Sequence, residues 1–457
     1  MSVEKAIERL SQRFGAQLSV SLPVRRQHGQ NESHFDEALP DAVVFVENTQ
    51  DVSDLLRICN AENCPVTPWG AGTALEGQHL PVFGGISLNM MALNQIVEIS
   101  PEDMRVTVQP GMTRMSLNEE LRATGLFFSV DPGADASIGG MLATRASGTT
   151  TVRYGTIADN VLALEVALAD GQIIRTGTHA QKSAAGYDLT ALMVGSEGTL
   201  GVITEATLRL HGVAEAVSAA SCAFETISDA VQTVMLTMQM GVPIARIELL
   251  DESYIEAVNA NANLGLPAKT HLFFEFHGSE TGVCEQAETV RGIAEEFGGG
   301  VFTWSANTDA RKALWKARHS AYEAMMAQYP GHTSLVTDIC VPVSKLAAAI
   351  EFARHEIADS SINGAIVGHV GDGNFHAQLM LREGSQDDLT EAKRLADLIA
   401  EFALQHRGTV TGEHGVGLGK QQLLSLEHGG AVDVMRAVKS QLDPRNILNP
   451  GKIFENA

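Results

Sequence analysis

The 457-residue chain reads as an α+β protein of two domains. Three observations lead there. The length exceeds what one hydrophobic core ordinarily serves. Short strand-like runs alternate with helical ones. Near residue 215 a glycine-rich first region gives way to a strand–helix–strand–helix rhythm, the pattern of a separate α+β domain with an antiparallel sheet.

The elements follow in order. "MSVEKAIERLSQRFG" is a charged helical pattern without the apolar stretch of a signal peptide. "DAVVFVEN" (41–48) reads as a strand, "DVSDLLRICNAENC" (51–64) as an amphipathic helix and "PVTPWG" (65–70) as a strand leading into glycines. "NVLALEVALADGQIIRTG" (160–177) is a hairpin turning at Asp170-Gly171, and "GVITEATLRL" (201–210) a closing strand. Beyond 215, "VSAASCAFETISDAVQTVMLTMQMG" (217–241) is a strand and a helix ending at Gly241. "THLFFEFHG" (270–278) is a strand and "CEQAETVRGIAEEFGG" (284–299) a helix stopped by glycines. A helix over 389–406 is expected to start at Asp388, with Glu391 three residues on as a capping-box partner.

Lys and Arg total 32 against 55 Asp and Glu, a formal charge of −23, which repels phosphate backbones and anionic lipid and so argues against nucleic-acid binding. The five cysteines form no CxxC pair and read as reduced thiols. No run reaches the length of a membrane span. The expectation is a cytoplasmic protein, at most peripheral at the inner face of a membrane.

Three glycine-rich stretches border strands in the first region. They are "PWGAGTALEGQHLP" (68–81), "VDPGADASIGGMLATRASGTTTVRYGT" (130–156) and "VGSEGTLGVITE" (194–205). None has the spacing of a Rossmann fingerprint or the Lys-Ser/Thr of a Walker loop. Together they suit one large ligand lying along backbone N–H donors, and tight turns of a β-rich domain are the alternative.

The second region carries "GHVGDGNFH" (368–376). Asp372-Gly373 is a hairpin signal; a two-residue turn there sets Gly371 opposite Asn374, Val370 opposite Phe375 and His369 opposite His376. Both imidazoles then share a face, with Cβ atoms roughly 4.5–5.5 Å apart, within reach of one metal ion. "GTVTGEHGVGLGK" (408–420) offers a carboxylate, Glu413, beside His414. Neighbouring side chains on extended backbone face opposite ways, so those two have different roles. Arg318, in the helical "KALWKARHSAY" (312–322), suits bidentate capture of a carboxylate, although a surface arginine has the same local pattern.

These stretches, with "LNPGK" (448–452), resemble the vanillyl-alcohol oxidase/p-cresol methylhydroxylase superfamily from about residue 38 onward. Within it, "VDPGADAS", "SAAGYDLT", "ARIELLDE" and "VTDICVP" are similar to the cytochrome-type D-lactate dehydrogenases. The resemblance implies a two-part FAD-binding domain of the p-cresol methylhydroxylase type over 38–215, after a helical segment (1–37). A substrate and metal domain (216–420) follows, and a C-terminal segment (421–457) packs back near the flavin. It assigns FAD contacts to Pro68, Trp69, Gly70, Ala71, Gly72, Thr73, Gly77 and Gln78, and to Pro132, Gly133, Ser137, Gly139 and Gly140. The same holds for Ser147, Gly148, Arg153, Tyr154 and Gly155, for Glu197, Gly198, Gly201 and Ile203, and for Asn449.

The resemblance also makes His369, His376 and Glu413 ligands of a divalent metal, His414 the catalytic base and Arg318 the substrate's cation. Two imidazoles and a carboxylate suit Zn, Mn, Fe or Co better than Ca or Mg. His79 reads as an ordinary loop residue, so the FAD is non-covalent. The implied reaction oxidises a small D-2-hydroxy acid, D-lactate to pyruvate, by hydride transfer to flavin N5. Electrons pass to an external acceptor, whether cytochrome, quinone or protein, and a homodimer is left open. Glycolate or D-2-hydroxyglutarate is the alternative substrate. Relatives acting on hydroxyglutarate carry a lysine where this chain has Thr337, which favours a monocarboxylate unless Lys345 or Arg311 supplies the second cation.

Overall fold

A computed structural model describes residues 2–31, 33–180, 182–262 and 264–455. The chain forms two units, one of Met1–Ser147, Gly155–Val213 and Glu413–Ala457, the other of Gly148–Tyr154 and Ala214–Gly412.

The first unit holds two main sheets, each with its own core. One runs in the order Leu18–Ser19, Ala42–Phe45, Ile86–Asn89, Val66–Trp69, the last three parallel. Val44, Val66, Ile86 and Leu88 pack there with Leu55 and Leu56 of the helix Thr49–Glu62. The helix Val3–Phe14 joins this core through Ala6, Leu10 and Phe14, and Arg13 reaches Asp51 and Asp54 at 2.9 Å each. The leading helical segment is therefore part of the first unit. The second sheet is antiparallel, in the order Ile96–Ser100, Arg105–Val108, Val202–Arg209, Val161–Ala167, Ile173–Gly177. The hairpin expected at Asp170-Gly171 forms, with Gly171 at φ 80°. From the C-terminal segment, Leu448 bridges to Val66.

The second unit is built on an antiparallel sheet ordered Thr303–Ser305, Ala216–Phe224, Thr270–Gly278, Ile244–Leu250, Gly364–His369, Asn374–Arg382, His332–Val336, with Ile339–Cys340 beside Asn374–Arg382. Seven successive residues of Thr270–Gly278 are buried, so both faces are covered. On one face Leu250, Phe273, Ala365 and Met380 form a core with Tyr254 and Trp315 from the helices Glu252–Ala262 and Thr308–His319. The two-residue period puts Glu248, Glu275, His369, His376 and Gln378 on that same face, further along the strands. One end of the face is apolar and the other polar.

The unit boundary falls at Gly412, before the expected 420, and residues 148–154 belong to the second unit. Arg153 donates there to the carbonyls of Pro243 (2.6 Å) and His277 (3.0 Å), and the Tyr154 hydroxyl lies 2.7 Å from His277 Nδ1. The helix expected from Asp388 runs Gln386–Gln405 and is capped by Ser385. Asp388 is instead taken up by Arg382, whose Nε donates to it at 2.8 Å. That bidentate pair outweighs a capping bond.

Candidate active site

The histidine hairpin differs from the expected register. His369 pairs with Asn374 and Val367 with His376, which leaves a four-residue loop, Val370 to Gly373. Gly373 closes that loop against a neighbouring segment: its carbonyl accepts from Val341 N at 2.9 Å, and a Cβ on it would lie 2.0 Å from Val341 O. At φ 80° it sits in the left-handed region that glycine adopts without strain. The slip moves the pairing by two, and an even slip leaves every side chain on its face. The histidines are consequently diagonal neighbours, with ring centroids 5.5 Å apart and planes at 82°. Each offers a nitrogen within 4.8 Å of the other.

Both rings are fixed through Nδ1. His376 Nδ1 donates to the Thr337 carbonyl at 3.0 Å, and a carbonyl only accepts. His369 Nδ1 donates to Glu248 Oε1 at 2.8 Å. Both imidazoles are thereby Nδ1–H tautomers with the lone pair on Nε2, the form that binds metals. The other oxygen of Glu248 accepts from Arg318 Nη2 at 2.5 Å. Arg318 lies on the helix Thr308–His319, as expected, but is no surface residue: its side chain is 11% exposed and its Nε is buried without a partner. Two amide atoms on the same face are also buried without partners, Asn374 Oδ1 and Gln378 Nε2. Asp338 accepts from Asn374 Nδ2 and from Thr411 Oγ1, both at 2.8 Å. Orphaned polar atoms beside two oriented imidazoles and a cation fit a divalent ion and a polar ligand.

In the first unit, Glu413 accepts from Ser147 Oγ at 2.8 Å, and His414 follows it. Two residues assigned to the cofactor, Gln78 and Glu197, have their side chains on the chain around His414, and a third, Asn449, holds the main chain of those two. Gln78 Nε2 donates to the His414 carbonyl at 2.7 Å. Glu197 accepts from Val416 N at 2.7 Å and Gly417 N at 2.9 Å. Asn449 Nδ2 donates to the carbonyls of Gln78 (2.9 Å) and Glu197 (2.7 Å). Burial pushes the Glu197 carboxyl up to about 7. His79 is a buried loop residue whose Nε2 lies 2.9 Å from the Gln30 carbonyl.

The glycine stretches meet through their glycines. A Cβ on Gly70 would lie 2.4 Å from Ser137 Oγ, one on Gly198 3.0 Å from Pro68 Cγ and one on Gly139 2.5 Å from Pro110 Cβ. Ser137 caps the helix Ile138–Thr144 by accepting from Gly140 N. Gly72, Gly77 and Gly155 have φ between 72° and 79°. Backbones packed with no room for a Cβ form the cradle of peptide donors that a dinucleotide needs, so these residues fit FAD.

Sequence reasoning missed Glu248, Asp338 and Gln378. The signal for Glu248 was present: it is a lone acid in the apolar strand "IARIELL" (244–250), at an inward position.

Comparison with known proteins gives the class. Residues 40–177 match the FAD binding domain model, and residues 213–453 match that of the C-terminal domain of FAD linked oxidases. The chain belongs to the FAD-linked oxidases and is a flavin-dependent oxidoreductase. Among individual proteins it is 48% identical, over 96% of its length and 89% of the relative's, to the probable mitochondrial D-lactate dehydrogenase of Danio rerio. It is 43% identical, over 96% of its length and 78% of the relative's, to the mitochondrial D-lactate dehydrogenase [cytochrome] of Arabidopsis thaliana. The fold is that of 4-ethylphenol oxidase from Gulosibacter chungangensis, with a TM-score of 0.81 at 18% identity over 100% of this chain and 98% of that one. Among the described residues no helix is long and apolar enough to cross a membrane.

Proposed function

We propose that the protein oxidises a D-2-hydroxy acid, D-lactate to pyruvate, and passes the electrons to an external acceptor such as a cytochrome. The observation that carries this reading is the pair of Nδ1-anchored imidazoles, His369 and His376, on one sheet face with a buried, incompletely partnered Arg318. That face offers a Lewis-acid site for a hydroxyl and a cation for a carboxylate, the two polar ends of a 2-hydroxy acid. The relatives' names point to the same substrate.

His369, His376 and Glu413 would hold the metal, and the three glycine stretches the FAD. When bound, the ion would supply Lewis-acid polarisation of a hydroxyl, and FAD would supply a two-electron acceptor for the hydride lost from C2. Arg318 grips the carboxylate and fixes which face of C2 is presented. His414 takes the hydroxyl proton; an imidazole's ordinary pKa near 6.5 suits that transfer at neutral pH. Gln78 holds the His414 main chain in place through its carbonyl. Thr337, with its carbonyl on His376 and its hydroxyl on Ala377 N at 2.9 Å, supplies no second cation, so a monocarboxylate is preferred.

The test is anaerobic titration of the flavin-loaded protein with D-lactate, L-lactate, glycolate and D-2-hydroxyglutarate, followed by loss of flavin absorbance. D-lactate should bleach the flavin fastest, and His414→Ala should slow that bleaching while FAD stays bound. Absence of bleaching by every 2-hydroxy acid would overturn the reading.

A further inference from the structure

Glu248 stands at the junction of the two halves of the proposed site. Its strand, Ile244–Leu250, pairs with Gly364–His369 through Leu249↔Gly368 and Leu250↔Val367. Continuing that register by one residue sets Glu248 opposite His369. Its carboxylate is buried, with the side chain 1% exposed, and each oxygen has a different partner. Oε1 accepts from His369 Nδ1 at 2.8 Å and Oε2 from Arg318 Nη2 at 2.5 Å. A strand residue therefore ties a ring on the hairpin to a guanidinium on the helix Thr308–His319.

We propose that Glu248 is the positioning residue that orients both the metal-binding His369 and the carboxylate-binding Arg318, a step that rests on the reading of the site above. An ionised carboxylate only accepts, so it holds His369 as the Nδ1–H tautomer and turns the Nε2 lone pair toward the ion. The same charge fixes one terminal nitrogen of Arg318 and leaves the rest of its fork, including the unpartnered Nε, for a ligand carboxylate. A neutral amide can supply one of these effects but not both at once. A glutamine has one acceptor and one donor; its donor faces either an N–H of His369 or the guanidinium, both of which are donors themselves. Glu248 thus sets the separation between the groups that recognise the two ends of a 2-hydroxy acid.

The experiment uses the FAD-loaded protein, stripped of metal and titrated with Mn(II) in competition with a chromophoric chelator. The KM and kcat for D-lactate are measured in parallel. Glu248→Gln should bind Mn(II) about 10–100-fold more weakly. It should also raise KM by about 10-fold or more, the cost of losing one charge-assisted bond to Arg318. Glu248→Asp keeps the charge and should recover part of both losses. Asp251→Asn, a substitution of another buried acid three residues on, controls for the fold and should change neither quantity. Unchanged Mn(II) affinity and KM in Glu248→Gln, beside a wild type that binds Mn(II) and is reduced by D-lactate, would overturn this proposal alone. Equal losses in Asp251→Asn would overturn it as well, by assigning the effect to the fold. A wild type that neither binds Mn(II) nor is reduced by any 2-hydroxy acid would overturn the reading of the site and this proposal together.

Discussion

Glu197→Ala should loosen the chain that follows His414. Glu197 is buried and sits at φ 53°, a conformation that a non-glycine residue adopts only when its surroundings hold it there. Its carboxylate accepts from Val416 N at 2.7 Å and from Gly417 N at 2.9 Å, and its own carbonyl accepts from Asn449 at 2.7 Å. Truncation to alanine keeps the last bond and removes the first two. Two backbone N–H groups are then buried without partners, at about 1–3 kcal/mol each, so the loss is about 2–6 kcal/mol. In a unit of this size each kcal/mol lowers the unfolding temperature by about 2–4 °C. Calorimetry should therefore show a fall of at least about 4 °C in the transition of the first unit. Hydrogen exchange gives the local readout: the Val416 and Gly417 amides should exchange at least about 30-fold faster. Glu197→Gln keeps one acceptor oxygen and should fall between the two. An alanine variant with wild-type protection at both amides would refute the bracing role, whatever its melting temperature.

Two further outcomes follow from single residues. Gly373→Ala places a Cβ at 2.0 Å from Val341 O at φ 80°, so the hairpin loop must move. The metal-competition assay should then show Mn(II) affinity lost while FAD remains bound, and a wild-type affinity would show that the loop does not set the spacing of the two histidines. Asp251 gives the pH dependence. Burial pushes its carboxyl from the ordinary 3.8 up to about 7. The folded state therefore binds more protons than the unfolded one across that window. The stability this group contributes is full below pH 3.8 and is lost as pH rises through about 7, a change of about 4 kcal/mol. Denaturant unfolding at pH 4.5, 6 and 8 should give a stability difference between Asp251→Asn and wild type that moves in the mutant's favour as pH rises. A pH-independent difference would contradict the assignment.

The legible parts of the sequence were those governed by short-range rules. The 160–177 hairpin could be read because Asp170-Gly171 is a hairpin dipeptide and Gly171 takes the positive φ such a turn calls for, a conformation its packing against Ser53 leaves intact. The 368–376 hairpin carries the same dipeptide and turned differently: it closes a four-residue loop, with Gly373 packed against Val341, more than thirty residues away in sequence. The helix start at 386 was missed because Asp388 had a stronger partner in Arg382 than its own helix end. Yet the inference that depended on the failed register survived, since a shared face depends on parity rather than on exact pairing. Non-local contacts hid the supporting roles of Glu248 and Glu197. Glu248 acts across a strand pair and from a helix 70 residues distant, and Glu197 acts on backbone amides 219 and 220 residues away. Local spacing can nominate the groups that touch a ligand, but the carboxylates that orient them are fixed by sheet register and chain return. A charged residue at an inward position of an apolar strand, as in "IARIELL", is the sequence mark such carboxylates leave, because burial there requires a partner.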